Sequence, residues 1–297
     1  MIDFSNTELF WQYPVITEEA FFKQNKQFTN YIGVPWATAI DKGVDTKTLY
    51  ELVKPQLTSE HNYTCCQHIY FRRLIPLLRS LNITRLYSSH KIVGEDIIEG
   101  VKIKPCPLYA VNIEDSNRNS KFKNIDIINC KRDVLYSFIG AHMQHYLSDI
   151  RLKIFEMKHP DSCVIQNTGM WHFEKQVYTD AQNINRQTVT NNNSVDQYND
   201  LLIRSKFSLC PGGAGPNTIR FWESLGAGAI PVLLSDTYEL PEHELWEEAI
   251  IQIKEPDVNN IENVLKEITD EQILHMRTKC ISIYDHFKDN YINNKNK

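Results

Sequence analysis

The alternation of apolar and polar positions divides the chain into strand-like and helix-like stretches, and the division repeats twice. In the first half, residues 29–36 read as a strand and 46–57 as a helix. Residues 62–69 form a strand that feeds a helix over 71–81, and 84–90 is the next strand. Residues 100–112 add a short strand that stops at Pro105 and Pro107. Strands that alternate with helices of about 10–15 residues predict βαβ units on a parallel sheet.

The pattern lapses over 113–131, which is polar, charged and reads as an interdomain connection. It then restarts: strand 132–140, helix 145–157, strand 161–167, helix 196–205, strand 206–211 and a tight loop over 212–217. A helix over 218–229, strands over 230–235 and 249–255, and two C-terminal helices complete it. Nine Asn or Gln residues between Gln182 and Asn199 mark an exposed, mobile loop. The expected class is α/β with two Rossmann-like domains, residues 1–125 and 126–297, with ligands at the C-terminal ends of their strands.

Composition narrows the function classes. A chain of 297 residues, 42% hydrophobic and 23% charged, is long and apolar enough for two cores and excludes wholesale disorder. Its 32 Lys+Arg stand against 37 Asp+Glu, a net charge of −5. With no basic block, this argues against nucleic acid. The few lysines of the C-terminal tail leave at most peripheral membrane contact. No apolar run approaches the roughly 18 residues of a membrane span. The first residues lack the basic-then-apolar order of a signal peptide, so a cytoplasmic location is expected. The seven cysteines are odd in number, and Cys66, Cys106 and Cys210 lie in or beside strand-like runs, as reduced thiols do. Cys65, Cys66 and His68 lack a second spaced pair, so no metal site is expected.

Glycine use is the sharpest local signal. Five of the 11 glycines fall between Gly212 and Gly228. Gly212, Gly213 and Gly215 follow an apolar strand and make a turn with little side-chain bulk, and Asn217 or Thr218 can cap the helix behind it. Backbone N–H groups at that helix start suit a phosphate, and Arg220 adds a fork of donors one turn in. Glu223 shares the Arg220 stripe, where its carboxylate can accept from ribose hydroxyls; a simple Arg220–Glu223 surface salt bridge is the alternative. Gly226 and Gly228 read as packing glycines. The run lacks the Gly-Lys-Ser/Thr of a P-loop and the third glycine of a dinucleotide fingerprint, and the chain has no nucleophile elbow.

These residues resemble the exostosin glycosyltransferase family. Phe207, Leu209, Cys210, Pro211 and Gly213 match its strand and turn; Arg220, Phe221, Glu223 and Leu225 match its helix. Gly228, Ile230, Pro231 and Val232 follow, then Leu240 and Pro241, and the resemblance covers roughly 133–255. It implies a GT-B arrangement, two Rossmann-like domains facing across a cleft, with the nucleotide-sugar in the C-terminal domain, acceptor in the N-terminal one and no obligatory metal or cofactor. It also places Glu223 on the ribose and the glycine turn near the diphosphate. The expected activity is transfer from a UDP-linked sugar to a glycan or glycolipid hydroxyl, with inversion, in surface-glycan synthesis. Two alternatives stay open: an epimerase or hydrolase of sugar nucleotides on the same fold, and a non-catalytic nucleotide- or glycan-binding protein.

Inverting transfer needs a base for the acceptor hydroxyl. Three residues at strand ends of the first half qualify: Asp41, then His68, then His90. Trp36 is either a sugar-stacking platform or a packed aromatic. In the second half, Arg151 can reach the diphosphate or sit on a solvated face, and His142 lies near the same strand end as a donor or acceptor contact.

Overall fold

In the computed structural model, which describes residues 15–58, 60–170 and 192–289, strand β1 (Asn62–Cys66) is buried along its whole length. It pairs in parallel with β2 (Ile83–Ser88), and β2 with β4 (Val101–Pro105); the short β3 (Ile97–Ile98) closes the edge antiparallel to β4. One sheet face sets Cys66, Leu86 and Ile103 in a core with Trp36, Leu49, Val53 and Leu78. The other sets Tyr63, Cys65 and Tyr87 against Phe21 of helix α1 (Thr17–Asn25). A strand covered on both faces shows no clean alternation in sequence.

The strand expected over 29–36 does not form. Tyr31 alone bridges to Tyr63, and Trp36 already opens helix α2 (Trp36–Asp41). The reason is a distant partner: the Glu18 carboxylate accepts from the Ala37 N–H at 3.1 and 3.2 Å, satisfying an orphan donor of the helix start from 19 residues away. Of the helix expected over 46–57, α3 covers Thr46–Val53, capped by Asp45 on the Thr48 N–H, and Lys54–Gln56 is a 3₁₀ turn. The helix expected over 71–81 starts as a 3₁₀ turn, Phe71–Leu74, and becomes α4 only over Ile75–Ser80. Pro76 sits in its first turn, where a missing N–H costs nothing.

The described residues up to Tyr109, with Thr237–Glu242, make one compact unit; Ala110–Asp236 with His243–Asp289 make the second. Thr237–Glu242 is fixed to the first unit by an Ile92–Tyr238 bridge and by the Val93 N–H on the Thr237 carbonyl at 3.0 Å. Buried Lys91 pairs there with Glu239, and with Asp96 at 3.0 Å.

The second unit opens with helix α5 (Val111–Glu114), at the start of the stretch expected as a connection. Its sheet is wholly parallel in the order β6 (Val164–Asn167), β5 (Val134–Gly140), β7 (Ser205–Pro211), β8 (Ile230–Leu234), β9 (Ile251–Gln252). From β5 the chain passes through α6 (Ile150–Glu156) to β6 on one side, then through α7 (Asn192–Arg204) to β7 on the other. The strand order therefore reverses between β5 and β7, and the carboxyl ends of those two strands are the place where open α/β sheets bind ligands.

Several boundaries move. Helix α6 begins at Ile150, five residues later than expected, and the last strand shrinks to Ile251–Gln252. Of the loop expected over 182–199, residues 182–191 lie outside the described residues, and the helix expected over 196–205 begins four residues earlier, at Asn192. Asn199 is buried there because its amide donates to the Arg118 carbonyl at 2.7 Å. Helix α8 (Ile219–Gly226) leads to β8, and α9 (Trp246–Ala249), α10 (Ile261–Lys266) and α11 (Asp270–Asp289) follow.

Two structural devices hold these parts together. Buried Arg132 donates to the carbonyls of Ala227, Ser205, Leu202 and Ile127 at 2.7, 2.8, 2.9 and 3.2 Å. Its charge thus meets the C-terminal ends of both α7 and α8. Gly228 follows α8 with φ of 62°, and a Cβ there would stand 2.8 Å from Ile127 Cγ2 and 2.9 Å from Arg277 Cγ. A Cβ at Gly226 would stand 3.0 Å from the Tyr284 ring of α11. Both are packing glycines, set against α11 and the Ile127 loop. All seven cysteines are free thiols.

Candidate functional site

The carboxyl ends of β5 and β7 carry the second unit's polar cluster. Phe207, Leu209 and Cys210 anchor β7 in the core, and the glycine turn leaves it at Pro211. The Gly212 N–H bonds to the Leu234 carbonyl at 3.1 Å, and the Gly213 N–H to that of Gly215 at 3.0 Å. Gly212 and Gly213 do not use left-handed backbone. Their surroundings are tight: a Cβ would lie 3.3 Å from Ser235 Oγ and 3.0 Å from Arg151 Nη2 respectively, so those side-chain ends would have to give way.

Arg151, on α6, reaches into this crowding. Its guanidinium donates to the carbonyls of Gly212 (2.8 Å), Ala141 (3.0 Å) and Pro211 (3.3 Å), with the Tyr146 ring 4.8 Å away. Those bonds engage three of its five N–H groups. Burial lowers its pKa to about 10, so it stays charged at neutral pH. Arg220, on α8, donates to the Ile139 carbonyl at the end of β5. It lies over the rings of Phe138 and Tyr198 at 4.8 and 5.0 Å. Among the described residues neither arginine has a carboxylate partner, and the surface Arg220–Glu223 salt bridge is absent.

Glu223 is only 3% exposed. Its carboxylate accepts from the Asn112 N–H at 3.2 Å and from the Tyr198 hydroxyl at 2.8 Å, and burial raises its pKa. Tyr198 thus joins the two candidates: Arg220 rests on its ring while its hydroxyl bonds Glu223. Burial holds that hydroxyl well above its ordinary pKa, so it donates. Asn217 does not cap α8 with its side chain; its Oδ1 accepts from Trp222 Nε1 at 3.1 Å. Thr218 occupies the N-cap position without a side-chain cap bond. His142 lies 3.7 Å from Asp149 Oδ1 with its ring edge-on to Tyr146, and its buried Nδ1 has no partner among the described residues.

The first unit brings two of the three base candidates together. His68 Nε2 is 2.9 Å from Asp41 Oδ1, and His68 Nδ1 accepts from the Tyr70 N–H at 3.0 Å. The accepted bond puts the hydrogen on Nε2, so His68 donates to Asp41 and its own acceptor nitrogen is already engaged. Asp41 is the more open of the two. His90 is a poor base: it is buried, and burial, helped by the nearby Arg72 charge, lowers its pKa to about 3. Trp36 corrects an expectation. It is 0% exposed and donates to Thr64 Oγ1 at 2.7 Å, so it packs the core and offers no face to a sugar.

Glu18, Tyr70, Arg73 and Tyr198 escaped the sequence reading. Tyr198 sits where the Asn/Gln-rich run overlaps the helix expected over 196–205, and Glu18 looks like an ordinary first-turn acid. Tyr70 and Arg73 did carry a signal, as polar or aromatic residues immediately after a strand. Among the described residues, no group of three or more His, Cys, Asp or Glu side chains can hold a metal ion. No described helix is long and apolar enough to cross a membrane.

The profile of the Exostosin GT47 domain matches residues 76–268. The exostosin-1 homolog of Caenorhabditis elegans is 29% identical over 185 residues, covering 60% of this chain and 47% of that protein. A probable glucuronoxylan glucuronosyltransferase of Arabidopsis thaliana is 37% identical over 73 residues, 24% of this chain and 16% of that protein. The chain therefore spans about half the length of the first relative and less of the second. The solved N-terminal domain of Candida albicans trehalose-6-phosphate phosphatase aligns over 89% of this chain and 76% of that one. Its 11% identity and TM-score of 0.41 make the likeness too loose to bear on function. The profile match takes in the whole strand-order reversal, from β5 through the glycine turn to α8, and on that extent the chain belongs to the exostosin GT47 family.

Proposed function

We propose that this chain is a glycosyltransferase that moves a sugar from a UDP-linked donor to a hydroxyl of a glycan or glycolipid acceptor, with inversion, without a metal, and in the cytoplasm. One observation carries the reading. Arg151 and Arg220, two guanidiniums with no described carboxylate partner, stand beside the glycine turn at the carboxyl ends of β5 and β7. Two such cations call for an anion, and a diphosphate matches their fork geometry. Family membership narrows that anion to a nucleotide-sugar.

In this reading Asp41 takes the proton of the acceptor hydroxyl as its oxygen attacks the anomeric carbon. The bond from that carbon to the diphosphate breaks, and the charge left on UDP is met by the arginines and by the N–H groups at Gly215 and Thr218. His68 holds the Asp41 carboxylate by donating from Nε2. Glu223 exchanges its Tyr198 bond for a ribose hydroxyl, and His142 contacts the sugar. The test is UDP release with EDTA present, from a panel of UDP-sugars with mixed glycan acceptors. Asp41→Asn is expected to lower transfer by about 10²–10⁴-fold, whereas His90→Ala leaves it within about threefold. Undiminished transfer by Asp41→Asn contradicts the assignment of the base.

A further inference from the structure

Glu223 receives its two hydrogen bonds from different helices. The Asn112 N–H of α5 bonds one carboxylate oxygen at 3.2 Å, and the Tyr198 hydroxyl of α7 bonds the other at 2.8 Å. Both routes lead back to Arg118. Its Nε donates to the Asn112 side-chain Oδ1 at 2.6 Å, and its carbonyl accepts from the amide of Asn199, the residue after Tyr198, at 2.7 Å. Arg118 is 2% exposed, and Asn112 and Asn199 are buried with it. One residue tied to both α5 and α7 thus sets where both donors to Glu223 stand.

Arg118 also brings a charge. Burial favours the neutral form of Glu223, whereas the Tyr198 and Asn112 hydrogen bonds and the positive charges of Arg118 and Arg220 favour the carboxylate. Strand β7 and helix α11, also packed on α8, bring Cys210 and Tyr284, which reach Ser224 and Glu114. The two arginines are not equivalent. Arg220 stands at the proposed diphosphate site, where a bound diphosphate would offset its charge. Arg118 is buried on protein partners and keeps its charge for the carboxylate. When a ribose hydroxyl takes the place of Tyr198, the Asn112 N–H is the donor that remains, and Arg118 holds it. A carboxylate accepts from two hydroxyls more strongly than the neutral acid does.

We infer that Arg118 is a positioning residue for ribose recognition: it aims both donors at Glu223 and keeps that carboxylate charged while the diphosphate site fills. Arg118 touches no ligand in this account and acts through Asn112, Tyr198 and Glu223. The inference deepens the proposed function by naming what makes Glu223 select ribose hydroxyls, and it rests on the UDP reading of the site for the identity of that ribose.

The test has two arms on the full chain. Without nucleotide, the Glu223 carboxyl is titrated by carbon-13 NMR of glutamate-labelled protein, its signal assigned by its loss in Glu223→Gln. Arg118→Gln should raise the titration midpoint by about half a pH unit or more, and Arg118→Lys, which keeps the charge, should undo at least half of that shift. With nucleotide, calorimetry at pH 6.5 compares UDP with 2′,3′-dideoxy-UDP, which lacks both ribose hydroxyls. Arg118→Gln should weaken UDP by about fivefold or more and leave dideoxy-UDP within about twofold of wild type. Asn112→Ala, which removes the acceptor of the Arg118 Nε, should cut the preference for UDP by at least about threefold. If Arg118→Gln does not fold, Arg118→Lys and Asn112→Ala carry the test: a loss of preference in Asn112→Ala with Arg118→Lys near wild type supports the role. An unmoved midpoint, equal weakening of both nucleotides, or a wild type that binds them equally overturns it. A folded wild type that binds neither nucleotide refutes the UDP reading instead, and the midpoint arm then decides the role of Arg118 alone.

Discussion

Replacing Glu18 by glutamine isolates a buried carboxyl beside the candidate base. The Glu18 carboxyl is 1% exposed and accepts from the N–H groups of Ala37 and Gln67, the latter at 3.0 Å. Burial outweighs those bonds and raises its pKa from an ordinary 4.5 to about 8. The folded chain therefore keeps a proton up to about pH 8 that the unfolded chain gives up near 4.5. Between those values the folded state binds one proton more, so stability falls as pH rises. Each pH unit in the window is worth about 1.4 kcal/mol, which sums to about 4–5 kcal/mol lost from Glu18 alone. Glutamine keeps a carbonyl for the two backbone donors and mimics the neutral acid, so it escapes this loss. Urea unfolding of both proteins at pH 4.5, 6, 7.5 and 9 gives the comparison. The stability of Glu18→Gln minus that of wild type should climb by several kcal/mol from pH 4.5 to 9, most of it below pH 8. A difference that stays flat within about 0.5 kcal/mol would show that Glu18 is not held as a neutral acid, and the reasoning from burial would fail.

The remaining stability predictions concern the second unit. Arg132→Met leaves the buried Leu202, Ser205 and Ala227 carbonyls without this donor and should lower unfolding stability by about 3 kcal/mol or more, read by urea denaturation. Gly228→Ala forces a side chain into left-handed backbone and against Ile127 and Arg277; a loss above about 1–2 kcal/mol is expected, and a neutral effect would contradict the crowding.

Much of the second unit was legible because its determinants are local. The apolar run at 206–211, the glycines after it and the Arg220–Glu223 spacing lie within one strand–turn–helix, and strand, turn and helix appear where the pattern puts them. The glycines show the limit of that reading. Ser235 and Arg151 approach Gly212 and Gly213 from elsewhere in the chain, and no local rule names those neighbours. The same limit explains the first unit. Residues 29–36 have the composition of a strand, yet helix α2 forms because Glu18 satisfies its start. Trp36 read as either a platform or a packed aromatic, and it is the packed aromatic, with Thr64 on β1 taking its indole N–H. Candidate bases could be named from strand ends, but choosing among them required partners: the Tyr70 N–H that engages His68, and the burial that keeps His90 neutral.

The central claim is that a nucleoside diphosphate binds at the strand-order reversal of the second unit through Arg151 and Arg220. Calorimetric titration of UDP into wild type and Arg220→Gln, in EDTA, tests it most directly. The account predicts saturable one-site binding by wild type and an affinity at least tenfold weaker in the variant, whose melting temperature without ligand stays near that of wild type. Absence of UDP binding by the folded wild type, or equal affinity in Arg220→Gln, would contradict it.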